Sequence, residues 1–252
     1  MGGSTIKINT YTIHNRKGFT LVEMAIVLVI VGLMLGGLMM SLTQTRESTN
    51  RSEAVTQLAE TEEALYGFAQ ANGRLPCPAT PTSNGAEAPV GGGVCTLQHG
   101  FVPSVTLGLR GSVNDDGLLL DPWNNPLRYS VTTANGNAFT TSSQIKTVGM
   151  TALIPNLRVC REAACTNQIT TTAPAIVLSM GKNWATFTHA DEVANAGEAT
   201  TTLIGPSGLT YRIGNNNDFV SAGYSETNFD DLITWLSPNI LYAKMFTANQ
   251  LP

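Results

Sequence analysis

The longest apolar stretch of the chain covers residues 19–40 and contains one charged residue, Glu23. These 22 residues would extend roughly 33 Å as an α-helix, about the thickness of the hydrocarbon core of a bilayer. We therefore expect a transmembrane helix at residues 19–40. A cleaved secretory signal peptide is the alternative, but its apolar region is shorter and ends in a small-residue cleavage site, which this stretch lacks.

Apolar residues continue beyond Met40 at intervals of one or two helical turns, among more polar neighbours. This spacing predicts that the helix goes on as an amphipathic second half at residues 41–73. The pair Asn72-Gly73 favours a left-handed helix end, and Pro76 cannot continue a helix. We therefore predict one long helix over residues 19–72, with its second half packed on a globular body.

The pattern changes to short, strand-like segments after the helix. Residues 74–117 are rich in Pro and Gly and predict a variable loop, whereas residues 118–252 predict a β-rich globular region. Residues 118–131 combine a turn with a strand, and residues 175–180 form a further strand before a Gly-Lys-Asn turn. The predicted fold class is α+β, with one long helix and a strand-rich body.

The charges are distributed unevenly along the chain, whose net charge is −4. Residues 1–18 contain Lys7, Arg16 and Lys17 and no acidic residue, so the remainder keeps 11 of the 14 basic residues against 18 acidic ones. A basic segment before an apolar helix stays in the cytoplasm and directs the body outward. The acidic body has no basic stripe with aromatic side chains, which disfavours nucleic-acid binding.

All four cysteines, Cys77, Cys95, Cys160 and Cys165, follow the apolar stretch and lie on the side predicted to be outside the cytoplasm. Four cysteines allow three disulfide connectivities, and the sequence does not choose among them. Local pairs, Cys77 with Cys95 and Cys160 with Cys165, are the simplest arrangement and would hold two loops. A zinc site is disfavoured because C-x-x-C spacing and histidine partners are lacking.

The segment KGFTLVEMAIVLVIVGLML, which begins at Lys17, resembles the class III signal of type IV pilins and of the pseudopilins of type II secretion. The resemblance rests on a basic leader ending in Gly18, on Phe19 directly after it, and on Glu23 at the fifth position from Phe19. It implies that residues 1–18 are a leader removed by a prepilin peptidase between Gly18 and Phe19. It also implies methylation of the new amine of Phe19, and a type IV pilin-like fold, in which the long helix packs on an antiparallel sheet with disulfide-bonded loops.

Glu23 has a physical role in this interpretation. Phe19 and Glu23 are four residues apart, so on a helix the amine made by cleavage and the carboxylate lie on one face and can neutralise each other. The resemblance implies that the pair also forms between subunits, which makes both assembly residues; an acid without a partner near the membrane edge is the alternative. Gly32 and Gly36 form a G-x-x-x-G motif for close helix packing, although glycines are common in membrane helices.

Two segments of the body are also similar to pseudopilin sequences. DPWNNP at residues 121–126 resembles their Asp-Pro-Trp-Gly-Asn-Pro turn, with Asn124 at the glycine position, and Asn tolerates a left-handed backbone. NFDDLITWL at residues 228–236 resembles a segment that follows a calcium-binding loop in those proteins. The corresponding oxygen ligands here would be Asn216, Asp218, Glu226, Asp230 and Asp231. A solvated acidic loop without metal is the alternative.

Catalytic motifs are weak in this chain. Ser179 and Lys182 match S-x-x-K, but the match lies at the end of a predicted strand and its companion motifs do not follow. The three histidines, His14, His99 and His189, are scattered and belong to no hydrolase or metal-binding motif. We predict that the chain is not an enzyme and, calcium apart, has no cofactor.

The predicted function is that of a structural subunit of a type IV pilus-like filament or of a type II secretion pseudopilus. The precursor would be stored in the inner membrane, with its N-terminus in the cytoplasm and its body in the periplasm. It would then polymerise through its N-terminal helix into a filament in the cell envelope or outside the cell. Its partners would be other pilin or pseudopilin subunits, the prepilin peptidase and the inner-membrane assembly platform.

The length favours a minor subunit, because removal of 18 of the 252 residues leaves 234, more than a compact major subunit needs. Two other functions are compatible with the sequence. A pilus-tip adhesin would present residues 135–172 and 186–225 to a ligand. A membrane-tethered extracytoplasmic enzyme is disfavoured by the missing active site. Pilus and secretion pseudopilus are not distinguished by these residues.

Overall fold

The computed structural model describes residues 18–184, 189–197, 202–214, 216–225 and 228–251, and the side chains of residues 35–44 are outside this description. The chain divides into two compact units, with the boundary in the sequence between Ser48 and Thr49. Helix α1, Leu21–Asn72, contributes to both units. The long helix predicted at residues 19–72 is confirmed.

In the first unit, the described side chains of residues 18–34 are exposed. Most of them are apolar, and Phe19 (78% exposed) and Leu21 (89%) are examples. Among the residues that the structure describes, no helix combines the length and the apolarity that crossing a membrane requires. The membrane span at residues 19–40 stays a prediction.

In the second unit, α1 buries one stripe of its surface. The stripe consists of apolar side chains that recur after about one or two helical turns, namely Ala54, Leu58, Leu65, Tyr66 and Ala69. The helix ends as its sequence predicts, because Gly73 has φ +67° and its N–H donates to the carbonyl of Ala69. The burial of this stripe is the main hydrophobic contribution of the helix to the body.

The body contains nine short strands and several short helices among its described residues. The strands are β1 (His99–Phe101), β2 (Arg128–Val131), β3 (Leu157–Cys160), β4 (Gln168–Ala173), β5 (Ala175–Ser179), β6 (Thr202–Ile204), β7 (Thr210–Arg212), β8 (Asp218–Val220) and β9 (Leu232–Trp235). The helices after α1 are α2 (Ser104–Leu107), α3 (Ala134–Asn137), α4 (Gln144–Val148), α5 (Ala190–Ala196) and α6 (Pro238–Thr247).

The central sheet has four antiparallel strands in the order β1-β2-β5-β9. Its register places Tyr129 opposite Val177 and Val177 opposite Thr234. A second sheet has the order β4-β3-β8, in which β3 and β8 run parallel, and β6 and β7 form a separate hairpin. The α+β class with a helix on an antiparallel sheet is confirmed, and the parallel pair is a feature that the sequence pattern did not predict.

The central sheet is buried on both faces. Tyr129, Val131 and Val177 belong to the hydrophobic cluster that also contains the buried stripe of α1 and Leu241 of α6. Ile176 and Leu178 on the opposite face belong to a second cluster with residues of β3, β4 and β8. An antiparallel sheet more commonly leaves one face to solvent, with alternating polar residues. Here the double burial explains why β5 has the continuous apolar sequence AIVL.

Two disulfides and a structured turn hold the connections around the sheet. Cys77 is bonded to Cys95 and Cys160 to Cys165, the local arrangement. The predicted loop at residues 74–117 also contains β1 and α2, which its Pro- and Gly-rich composition concealed. In the turn at residues 121–126, Asp121 Oδ1 accepts hydrogen bonds from the backbone N–H groups of Trp123 and Asn125, at 2.9 and 2.8 Å. Asn124 has φ +66°, as the sequence predicts for this position.

Candidate functional site

The N-terminal candidate site is a short non-helical segment followed directly by α1. Gly18, Phe19 and Thr20 precede the helix, and all three are exposed. The hydroxyl oxygen of Thr20 accepts a hydrogen bond from the N–H of Glu23 at 3.2 Å, and the carbonyl of Thr20 accepts one from the N–H of Met24. Thr20 is therefore the N-cap of α1, with Glu23 three positions later, as in a capping box.

The capping geometry gives Glu23 a local role that the sequence analysis did not identify. Its carboxylate lies in the first turn of α1, where the helix dipole and unsatisfied N–H groups favour negative charge. Among the described residues, no basic side chain forms an ion pair with this carboxylate. Glu23 is surrounded along the helix by exposed apolar side chains such as Val22 and Ile26. The carboxylate is thus the one acid in the described apolar segment at residues 18–34.

Of the two glycines predicted to allow close helix packing, only Gly32 has described surroundings. A Cβ built on Gly32 would meet no heavy atom within 4 Å, so its surface is open. Gly36 lies within residues 35–44, whose side chains and surroundings are outside the described part. The open surface at Gly32 leaves room for the backbone of another helix to approach closely.

A second candidate site is a buried acidic cluster in the body. Glu192 on α5, together with Asp230 and Asp231 before β9, offers three carboxylate oxygens that lie within 4.8 Å of one another. All three side chains are buried. Within the described part of the chain, no lysine or arginine forms an ion pair with any of them. Carboxyl groups that are buried without a counter-charge are either protonated or bound to a cation.

Asp230 is the best defined member of the cluster. Its Oδ2 accepts hydrogen bonds from the N–H groups of Lys182 and Asn183, at 2.7 and 3.2 Å, whereas its buried Oδ1 has no hydrogen-bond partner. The turn after β5 is shaped around this carboxylate. Gly181 has φ +60°, and a Cβ added to it would lie 2.5 Å from Cγ of Asp230. Only glycine combines this backbone with so close an approach.

Burial and mutual repulsion disfavour negative charge in the cluster. Burial raises the pKa of Asp230, two backbone N–H donors partly offset this, and Glu192 raises it further. Burial also raises the pKa of Asp231 well above its usual range. The negative charges of Glu192 and Asp230 add to this increase, whereas a hydrogen bond from Asn195 partly offsets it. A divalent cation would reverse both shifts, because it supplies the missing positive charge. The hard oxygen donors and the unpartnered Oδ1 fit calcium.

The structure brings together two of the five residues predicted as calcium ligands and adds Glu192. Asp218 lies elsewhere, where both of its carboxylate oxygens accept hydrogen bonds from Arg158 at 2.5 Å. Asn216 is exposed, and Glu226 lies outside the described residues. Glu192 was missed because nothing in the sequence of its seven-residue helix indicates that the helix packs beside Asp230.

The described residues of the weak catalytic motifs make contacts that stabilise the fold. Ser179 is completely buried, and its hydroxyl donates to Asp121 Oδ2 at 2.5 Å, which fixes the turn at residues 121–126 to the end of β5. His189 caps α5 by accepting from the N–H of Asp191, and His99 is buried beside Ser130. His14 lies outside the described residues.

Comparisons with known proteins agree with the N-terminal geometry. Residues 13–39 match the family described as the prokaryotic N-terminal methylation motif. The curated proteins and the solved structures gave no significant match. The match contains Gly18, Phe19 and Glu23, and the α+β body with its long N-terminal helix and two disulfides is consistent with a type IV pilin-like fold. The chain therefore carries the prokaryotic N-terminal methylation motif, the class III signal of type IV pilins and pseudopilins.

Proposed function

We propose that this protein is a structural subunit of a type IV pilus-like filament or of a type II secretion pseudopilus. The observation that carries the proposal is the methylation motif at residues 13–39, together with the described side chains of residues 18–34, which are exposed and mostly apolar. Contiguous apolar surface of this kind marks an interaction site in a protein–protein or membrane environment. The precursor is stored in the inner membrane, with its N-terminus in the cytoplasm and its body in the periplasm.

The segment around Gly18 supports processing by a prepilin peptidase. A peptide bond must be accessible and non-helical to enter a protease, and Gly18 and Phe19 meet both conditions. Among the described residues, a Cβ on Gly18 would meet no atom within 4 Å, so this part of the chain does not require glycine there. The requirement for a small residue therefore comes from the peptidase. Cleavage releases residues 1–18 and makes Phe19 the methylated first residue.

Glu23 couples this cleavage to assembly. The precursor has no amine at Phe19, whereas the processed chain has a cation one helical turn from the carboxylate of Glu23. In the filament, the carboxylate meets the amine of a neighbouring subunit, and the pair removes the cost of burying either charge alone in the apolar core. The partners are other pilin or pseudopilin subunits and the inner-membrane assembly platform.

Deletion of the prepilin peptidase tests the processing step. In the parent strain, the mass of the N-terminal peptide should correspond to a chain that begins with methylated Phe19. In the deletion strain, the same chain should keep residues 1–18. Cleavage that persists without the prepilin peptidase, at this bond or at another, would refute the proposal.

A Glu23→Ala variant in the parent strain tests the assembly step separately. It should be cleaved and remain in the membrane fraction, while filaments sheared from the cells contain only traces of it. Glu23→Asp keeps the charge and is the matched control, which should enter filaments better than Glu23→Ala. Normal incorporation of Glu23→Ala would remove the assembly role of the carboxylate and leave the processing result unaffected.

We also propose that the body binds calcium at the acidic cluster. Glu192, Asp230 and Asp231 would hold the ion with their carboxylates, and the unpartnered Oδ1 of Asp230 is the observation that favours this over a metal-free loop. The ion would supply positive charge that joins α5 to the segment before β9. This role is structural and stabilises the subunit.

A further inference from the structure

A cavity of about 230 Å³ lies between the central sheet and the β6–β7 hairpin. Its lining includes Phe101 and Arg128 from the central sheet, Tyr211 and Arg212 from the hairpin, and Trp184 after β5. The cavity is thus lined by two arginines and three aromatic side chains. Neither the methylation motif nor the acidic cluster involves these residues.

Arg128 is the central feature of this cavity, because it is a buried cation without a carboxylate partner. The residue is 6% exposed, and within the described part of the chain no acidic side chain forms an ion pair with it. Its Nη1 donates to the carbonyl of Arg212 at 2.5 Å and contacts Sδ of Met180 at 3.8 Å. A guanidinium has five N–H donors, and both of these contacts are made by Nη1.

The electrostatic surroundings of Arg128 favour an incoming anion. Burial lowers the pKa of Arg128 to about 10, and the positive charge of Arg212 contributes to the decrease. The carboxyl group of Asp231 acts in the opposite direction but more weakly. An anion bound in the cavity would supply the counter-charge that Arg128 lacks.

The aromatic side chains limit the rest of the ligand to a flat or ring-shaped group. Phe101 and Tyr211 pack edge to face with their ring centroids 5.2 Å apart, and the guanidinium of Arg128 lies 5.4 Å from the centroid of Phe101. Trp184 is 39% exposed and provides a further aromatic surface at the cavity. Aromatic walls pack against aromatic rings or the apolar faces of sugars.

Hydrogen bonds hold this arrangement in place without a ligand. The carboxylate of Asp116 accepts hydrogen bonds from the hydroxyl groups of Tyr211 and Ser207, at 2.5 and 2.7 Å, and from the N–H of Ser207. These bonds fix the β6–β7 hairpin to the segment before residue 118. A cavity that is formed in advance costs less binding energy than one that must be ordered by its ligand.

We propose that this cavity binds a small organic carboxylate carried on a ring, with Arg128 holding the carboxylate and the aromatic side chains packing against the ring. The ligand class includes aromatic acids and sugar acids, which share this chemistry. The volume of about 230 Å³ is below that of most drug-sized ligand sites, and therefore limits the bound group to about one ring. The proposal goes beyond filament assembly and does not depend on it.

Titration calorimetry on the full chain in detergent tests the proposal with defined probes. Benzoate represents aromatic acids and D-glucuronate represents sugar acids; benzamide and D-glucose are their uncharged counterparts. At least one of the two acids should bind saturably. Its affinity should be at least about tenfold higher than the affinity of its uncharged counterpart, because the uncharged compound cannot form the hydrogen-bonded ion pair with Arg128. The acid that binds more tightly identifies the source of the carboxylate.

Two variants and one control assign the binding to the cavity. Arg128→Met removes the cation with a side chain of similar length, and Trp184→Ala removes an exposed aromatic wall at little risk to the fold. Each should weaken binding of the acid about tenfold or more. Arg158→Met removes an arginine that instead pairs with Asp218, and should leave binding unchanged.

Three outcomes would overturn the proposal. One is that neither acid binds saturably when the acid is present at roughly 20 mM, a concentration that would detect any binding of millimolar or higher affinity. The second is that an acid and its uncharged counterpart bind equally well. The third is that binding survives in both Arg128→Met and Trp184→Ala. If Arg128→Met does not fold, Trp184→Ala and the uncharged probes still decide the question.

Discussion

Several single residues of the body are ionisable, buried and not part of an ion pair. His99, Arg128 and Asp230 are each at most 6% exposed, and none takes part in an ion pair among the described residues. Such groups favour their neutral form or a bound counter-ion. At this scale the stability of the body should depend on pH and on metal ions, and two predictions follow from individual side chains.

His99 should make the body less stable in acid. Its Nδ1 is hydrogen-bonded to Oγ of Ser130 at 2.9 Å, its buried Nε2 has no hydrogen-bond partner, and burial with help from Arg128 lowers its pKa to about 4. In the unfolded chain the pKa is about 6.5. Between pH 6.5 and 4 the unfolded state therefore binds a proton that the folded state does not. As the pH decreases across this range, the free energy of unfolding should fall by on the order of 3 kcal/mol.

Urea unfolding of the parent chain and of a His99→Gln variant at several pH values measures this contribution. The raised pKa values of Asp121, Asp230 and Asp231 favour the folded state as pH falls, but both chains contain these groups. The difference between the two chains therefore isolates His99. The variant should lack the loss below pH 6.5, and identical pH profiles would show that His99 is not buried as a neutral side chain.

Calcium should stabilise the body through the acidic cluster. Saturating calcium should raise the Tm of the full chain in detergent by several degrees, since a ligand that binds only the folded state adds to its stability. Asp230→Asn should abolish the increase, because it removes a carboxylate and leaves the shape of the side chain. Thermal melting with and without calcium is the measurement.

Asp218→Asn is the matched control for this prediction. Asp218 pairs with Arg158 outside the cluster, so its variant should keep the calcium-dependent increase in Tm. A Tm that does not change at roughly 5 mM calcium, above the affinity range of extracellular calcium modules, would exclude the site. An increase that is lost with Asp218 rather than Asp230 would move the site to the other predicted ligands.

At the scale of elements, an ion pair secures the chain where α1 ends. Arg74 and Glu87 form two hydrogen bonds of 2.7 Å, and their side chains are 7% and 4% exposed. Glu87 also accepts hydrogen bonds from the N–H groups of Cys77 and Gly91, so the pair connects the helix end with the disulfide-bonded loop. Although burial alone raises the pKa of Glu87, the hydrogen bonds from Arg74 and from these N–H groups lower it.

Loss of Arg74 should destabilise this junction strongly. Arg74→Met leaves the carboxylate of Glu87 buried without its partner, which should cost about 3–5 kcal/mol of unfolding free energy. The double variant Arg74→Met with Glu87→Gln removes the stranded charge. Its single amide oxygen keeps an acceptor for one of the two N–H groups, Cys77 on Oε2 or Gly91 on Oε1, so it should regain a large part of the loss. Urea unfolding measures both.

The exposed pair of Lys244 and Glu63 provides the comparison. Its N–O distance of 2.6 Å is similar, but the two side chains are 32% and 69% exposed. Lys244→Met should therefore cost less than about 1 kcal/mol. A double variant as unstable as Arg74→Met alone would mean that lost packing, not a stranded charge, causes the destabilisation.

At the scale of the whole molecule, the sequence is most informative where structure depends on local pattern. The helical spacing and the pair Asn72-Gly73 predict α1 to its last residue, and the turn with Asn124 follows from local backbone preferences. Strand β1 was missed because its three residues become a strand only by pairing with β2. The site in the N-terminal segment was found from its motif, whereas Glu192 and Arg128 acquire their surroundings from chain segments far away in sequence.

The burial of the central sheet on both faces also determines which parts of the body can unfold locally. Strand β5 has neighbours on both edges and covers on both faces, so its amide protons exchange with solvent only when the whole body unfolds. The β6–β7 hairpin has three residue pairs and is held to the body by Asp116, by the hydrogen bond from Arg128 to the carbonyl of Arg212 and by the buried side chain of Tyr211. Because a two-stranded hairpin is less stable than the central sheet, we expect it to open locally more often than β5. Local opening of this hairpin would give a ligand wider access to the cavity beside Arg128, while the sheet beneath it stays closed.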